Sequence, residues 1–132
     1  MSRKKNEGEP RELDPMVENL RVHMLEKSGC EEEYPFGPDV MVFKVAGKMF
    51  GLMAWEVNPV VISLKCDPER SQLLREEHVG INGAYHMNKK HWHGVEIGDS
   101  VDFELAQELM DHSYDLVVAS LTAKEQEHVR RM

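Results

Sequence analysis

The sequence predicts an α+β domain, an antiparallel sheet of about five strands with three helices gathered on it. Three observations carry this. Helix-like and strand-like segments follow one another as helix, three strands, helix, two strands, helix. The links between strands are far shorter than the dozen or so residues that a parallel crossover needs. Two Asp-Pro pairs, Asp14-Pro15 and Asp67-Pro68, mark helix starts. In each the aspartate caps, and the proline takes the first helical position, where its missing N–H costs nothing.

The first helix is expected over residues 14–28, with Leu13, Val17, Leu20, Met24 and Leu25 on one face and Gly29 as its stop. Glu31-Glu32-Glu33 reads as a solvated turn. The run Tyr34-Pro35-Phe36-Gly37-Pro38-Asp39 excludes helix and reads as a rigid loop with its rings over the core edge. Residues 40–46 alternate as a strand, with Met41, Phe43 and Val45 on one side. Gly47-Lys48 fits a two-residue hairpin turn, and residues 49–55 are the return strand. A looser turn at 56–59 leads to a third strand at 60–66. The second helix runs to about His78, with Leu73 and Leu74 as its buried contacts. Residues 80–87 and 92–97 read as two more strands joined by Asn88-Lys89-Lys90-His91. The last helix, from about Asp102 to Leu121, carries Phe103, Ala106, Met110, Tyr114, Val117 and Leu121 as a stripe. Residues 1–12 read as a lead-in, 13–122 as one domain, and 123–132 as a polar tail or a frayed helical extension.

The 132 residues are enough for one core. No run approaches the roughly 20 apolar residues that cross a bilayer, and no apolar segment follows the basic N-terminus, so no membrane span or secretory signal is expected. Cys30 and Cys66 form neither a disulfide framework nor a metal knuckle and read as reduced thiols in a cytoplasm, Cys30 in an exposed loop and Cys66 packed. Most of the nine methionines fall at core positions, with Met87 the exception. The net charge of −8 means that the mean field does not attract a polyanion, so any such binding needs a local basic face.

One stretch offers such a face. Residues 82–98 read NGAYHMNKKHWHGVEIG, with no acid between Tyr85 and His93. A hairpin tip carrying Asn88, Lys89 and Lys90 could meet phosphates, with Tyr85, His86, His91 and Trp92 available to bases. Lys44 and Lys48 near the first hairpin, and Lys65 and Arg70 around the second helix start, could widen it. The duller alternative is a solubilising tip with Trp92 turned inward. A competing use of the same aromatic, Met-lined face is contact with another protein or a second copy of the chain.

His91 and His93, two apart on a strand, would share a side, with His86 across the hairpin. No Cys, Asp or Glu in the tip completes a metal set, and no metal or other cofactor is expected. Asp111-His112-Ser113 lies on one helix and cannot converge as a catalytic triad; a hydrogen bond from Asp111 or His112 to a loop is expected instead, with the Tyr114 hydroxyl at the rim. No phosphate-cradling loop, nucleophile elbow or HExxH is present, so no enzyme activity is expected.

Five motifs in register resemble the MmcQ/YjbR family over residues 13–122: Tyr34-Pro35-Phe36-Gly37-Pro38-Asp39-Val40; Phe43-Lys44-Val45 with Gly47-Lys48-Met49-Phe50; Leu64-Lys65-Cys66-Asp67-Pro68-Glu69-Arg70; Ala84-Tyr85-His86-Met87-Asn88-Lys89-Lys90-His91-Trp92; and Asp111-His112-Ser113-Tyr114-Asp115-Leu116-Val117-Val118. The resemblance implies a CyaY-like, frataxin-type arrangement with a bent antiparallel sheet. It implies DNA binding through a pair of hairpin wings, and no catalytic residues. The sequence departs from the family at His93, where another residue is more usual.

Overall fold

The computed structural model describes residues 14–84 and 87–132. The expected lead-in, Leu13, and the site candidates Tyr85 and His86 lie outside the described residues. Within them the order is α1 (Pro15–Leu25), β1 (Cys30–Glu33), β2 (Val40–Val45), β3 (Lys48–Ala54), β4 (Val61–Lys65), α2 (Pro68–Glu77), β5 (Ile81–Gly83), β6 (Trp92–Glu96), α3 (Phe103–Ala119) and α4 (Ala123–Arg130). The six strands form one antiparallel sheet in the order β1-β2-β3-β4-β6-β5. The expected class holds, with one strand and one helix more than expected.

The extra strand is the acidic run. β1 forms because its carboxylates find partners: Arg21 of α1 grips Glu32 with two bonds, 2.6 and 2.9 Å, and Lys44 of β2 meets Glu33 at 3.0 Å. Charges that read as solvated in the sequence thus become an edge strand, where acidic side chains also discourage further pairing. Cys30 opens this strand half-buried rather than sitting in an exposed loop. The extra helix is residues 123–130, the second of the two alternatives for that segment and capped rather than frayed. Thr122 and Glu125 form a reciprocal capping box, and Val129 is buried.

Cross-strand register assigns the faces. Met41, Met53, Ile62, Val95 and Ile81 lie in one row, and Phe43, Gly51, Leu64, His93 and Gly83 in the next. Side chains two apart on a strand share a side, so both rows face the helices. Every one of them that has a side chain is essentially fully buried, His93 included. The other face carries Leu52, Val61 and Lys65 half-exposed, with Val42 and Trp92 buried.

Three local expectations need correction. The β2–β3 turn is Ala46-Gly47, not Gly47-Lys48: Val45 pairs with Lys48, and Ala46 and Gly47 have φ of 50° and 77°. A two-residue turn with both central residues left-handed matches the strand twist, and glycine at the second position relieves half the strain. On α2, Leu74 is buried but Leu73 is 59% exposed, because the inward line is Ser71, Leu74 and Arg75. The rings of the Tyr34–Asp39 loop also point outward, Tyr34 at 44% and Phe36 at 68% exposure. The loop is braced from below by Trp55, whose Nε1 donates to the Pro38 carbonyl at 3.1 Å.

A bulge ties α3 to the sheet. Phe43 pairs with Gly51 and Lys44 with Met49, which leaves Phe50 as the extra residue on β3. Its ring turns to the helices and meets Tyr114 edge-on at 5.2 Å. Buried Ser113 donates to the Phe50 carbonyl at 2.6 Å and accepts from the Lys65 N–H at 2.9 Å, bridging two strands from one helix position. The Asp111–Tyr114 segment is therefore structural, as its linear order implied. His112 accepts from the Asp67 N–H at 3.1 Å, and the Tyr114 hydroxyl donates to the Ser28 carbonyl at 2.6 Å.

Candidate nucleic-acid interface

The register places the β2–β3 tip and the turn at residues 87–91 at the same end of the sheet, with β4 between them. At this end β4 runs into α2. The Cys66 N–H donates to the His91 carbonyl at 3.0 Å, and the Asp67 side chain caps α2 by accepting from the Arg70 N–H at 3.1 Å.

Asn88 organises the turn. Its main-chain carbonyl accepts from the His91 and Trp92 N–H groups at 3.2 and 2.8 Å, and its side-chain oxygen accepts from the Lys90 N–H at 2.9 Å. Half of the Asn88 side chain is thus engaged in holding the turn. The turn presents Lys89, Lys90 and His91 to solvent. Gly83 sets the course of Lys89: a Cβ there would lie 3.0 Å from Lys89 Cγ and Cδ, so the lysine stem occupies the place of the missing side chain.

α2 closes over the turn from the other side. Ser71 Oγ lies 3.1 Å from Nδ1 of His93, and Arg75, one helical turn on, donates from Nη2 to the carbonyls of Lys89 (2.6 Å) and Trp92 (3.3 Å). Pro68, Gln72, Arg75, Lys89 and Lys90 line a groove of about 440 Å³. Three cations and an amide border it, with no carboxylate among the described residues. An adjoining hollow of about 200 Å³ shares Pro68 and is lined by Lys65, Cys66, Asp67, His91 and Leu116.

Burial disfavours charge on the groups packed at this end. Burial, followed by the positive charges of Arg75, His112 and Arg70, lowers the His93 pKa to about 4. Burial also lowers that of His112, with Arg70 adding to it. The Cys66 thiol is pushed up to about 11 by burial.

The structure sorts the sequence candidates. Lys89, Lys90, His91, Lys65 and Arg70 come together with Arg75, which sequence reading did not single out. Trp92 departs from its expected role. It is 9% exposed, and the Lys65 ammonium sits 5.9 Å above its ring, so it buttresses the site and does not offer a stacking surface. The reason is pairing: Trp92 lies directly opposite Lys65 and the lysine stem covers it. Lys44 is tied to Glu33, whereas Lys48 stands exposed at the other tip. His91 and His93 do not share a side: His91 ends the turn, exposed, whereas His93 is sealed in the core. Among the described residues no group of three potential ligands could hold a metal ion.

The family model named YjbR matches residues 25–116. The chain belongs to the YjbR family. It is 40% identical to the uncharacterised protein YbdF of Escherichia coli O157:H7 over 106 residues, covering 80% of this chain and 87% of that one. It is 28% identical to the uncharacterised protein YjbR of E. coli K12 over 102 residues, covering 77% and 86%. Among solved structures, protein DR2400 of Deinococcus radiodurans, described as a DUF419 domain, superposes with a TM-score of 0.80 at 37% identity over 86% of each chain. A protein from Pseudomonas syringae superposes at 0.64 with 27% identity, over 75% of this chain and 96% of that one. This YjbR domain thus shares its fold with relatives whose descriptions assign no activity. Its helices are all too short or too polar, among the described residues, to cross a membrane.

Proposed function

We propose that this YjbR protein is a non-enzymatic, cytoplasmic binder of nucleic acid, duplex DNA first, which it grips weakly by the phosphate backbone. The observation that carries the reading is the groove between α2 and the 87–91 turn, whose border holds Arg75, Lys89 and Lys90 and, among the described residues, no acid. Lys65 and Arg70 extend the positive surface, with the exposed His91 beside them. Trp92 is buried, so contacts go to phosphates and sequence preference is slight. Titration of labelled duplex and single-stranded DNA at low and moderate salt tests this. Duplex binding at low salt that Lys89→Glu with Lys90→Glu abolishes is expected. Failure of the wild type to bind at low salt, or indifference to the double charge reversal, overturns the reading.

A second reading, contact with another protein or a second copy, is favoured by a different surface from the one expected. Tyr34, Phe36 and Val57 are exposed at the opposite end of the sheet, next to Trp55. It predicts self-association by light scattering that Phe36→Ser reduces and salt does not. A monomer at all concentrations removes the second-copy form of it.

A further inference from the structure

We infer that Arg75 is a positioning residue: from α2 it holds the turn bearing Lys89 and Lys90 in place, and does not itself serve as a phosphate ligand. The inference rests on the nucleic-acid reading for its functional meaning, and on the geometry alone for its structural content.

The turn at residues 87–91 has few anchors of its own. Three of its bonds converge on Asn88, the Met87 N–H donates to the Ala84 carbonyl at 3.3 Å, and its tie to the sheet runs through the His91 carbonyl and the start of β6. Arg75 links it to α2. One nitrogen, Nη2, carries two hydrogens, and its two acceptors are carbonyls on either side of His91, Lys89 at 2.6 Å and Trp92 at 3.3 Å. That spans the turn from its exposed tip to the first residue of the strand. A charged donor to a carbonyl is stronger than a neutral one. The guanidinium is itself held. Its Nε is buried with no partner among the described residues, a cost that the two Nη2 bonds offset, and the side chain is only half-exposed.

Two further contacts make α2 and the turn a single unit. Ser71, one turn earlier on the same helix face, is bonded to His93 on β6. The Lys89 stem lies over Gly83 on β5. Arg75 therefore joins the helix, the turn and the sheet at the point where the two exposed lysines leave the fold. Lysine in its place would keep the charge. A single ammonium on a flexible stem cannot reproduce the planar, pre-aimed pair of donors.

The test is Arg75→Lys in the full chain, read by two independent measurements. The first is amide hydrogen exchange at Lys90, His91 and Trp92, whose N–H groups are all bonded to Asn88. Exchange at these amides should accelerate by roughly tenfold, while the β2–β3 amides stay protected, which separates local loosening from loss of the fold. The second is duplex DNA binding against salt. Affinity of Arg75→Lys should fall by roughly five- to tenfold, and in Arg75→Gln, which removes the charge, the salt slope should stay unaltered, because no phosphate contact is removed. Lys89→Gln with Lys90→Gln should instead lower the slope by about two.

Unaltered exchange at the three amides overturns the inference. So does a salt slope lowered by about one in Arg75→Gln, which marks Arg75 as a phosphate ligand. If the wild type binds no duplex, the nucleic-acid reading falls, and the exchange measurement alone decides whether Arg75 holds the turn.

Discussion

His93 lies opposite Leu64 on the helix-covered face, with its Nδ1 near Ser71 and its Nε2 buried without a partner. The unpaired nitrogen is tolerated because the ring stays neutral. A proton there would place a charge in the core beside Arg75 and Arg70. The consequence for stability has a definite sign. The folded pKa is lowered to about 4 from an unfolded value of 6.5, so the unfolded chain binds the proton first. The contribution of neutral His93 is complete above pH 6.5 and is lost as pH falls toward 4. The shift corresponds to about 3 kcal/mol over that window. Urea unfolding between pH 7 and 4 should show the decline, and His93→Gln should flatten it. An equal decline in the variant would assign the effect to other groups. His91, two residues away and chemically identical, is exposed to water. Nothing in the spelling HWH separates the two; only the point where the turn ends and β6 begins does so.

At the scale of elements, α2 shows what a helix gains from its neighbours. Its start was legible from Asp67 and Pro68, since capping and proline placement act within one turn. Its inward face was not, because adjacent leucines at 73 and 74 offer two choices and the helix is otherwise polar. Ser71 bonded to His93 and Arg75 bonded to the turn decide between them, and they rotate Leu74 into the core. Leu74→Ala should therefore cost about 2–3 kcal/mol in urea unfolding, and Leu73→Ala less than about 0.5. Equal effects would mean that the helix sits differently on the sheet. β1 makes the same point for strands. Its three glutamates have low strand propensity, and pairing with Val42–Val45 on one side and Arg21 on the other overrides it. The clear periodicity of α3, by contrast, translated directly into burial of Ala106, Met110 and Val117.

For the molecule as a whole, the question is how a chain at −8 could hold a polyanion. The fold answers by a partial separation. Lys65, Arg70, Arg75, Lys89 and Lys90 share one end of the sheet with Asp67, Glu69, Glu76 and Glu77 of the α2 region, while Glu31, Glu32 and Glu33 occupy the far edge strand. Screening over roughly 8 Å at physiological ionic strength mutes the distant carboxylates more than the contacts at the groove. The number of exposed lysines then limits the strength. With Lys65, Lys89 and Lys90 each neutralising one phosphate, the log–log salt slope of the proposed complex is about −2.7, a shallow dependence that fits weak binding. The sheet edges follow a similar division, β1 protected by charge and β5 by its length of three residues.

By itself the sequence determined what depends on near neighbours: the helix starts at Asp14, Asp67 and Asp102, the antiparallel pairing forced by short links, the stripe of α3, and the acid-free run around Lys89 and Lys90. Tertiary structure alone decided that the acidic run is a strand, that Trp92 and His93 are hidden while His91 is not, and that Arg75 meets the turn. The first hinges on β2 and Arg21 meeting the acidic run, and the others on β6 inserting between β4 and β5, segments distant in the chain. Whether a side chain is buried depends on what lies across the sheet from it, and no local spacing encodes that.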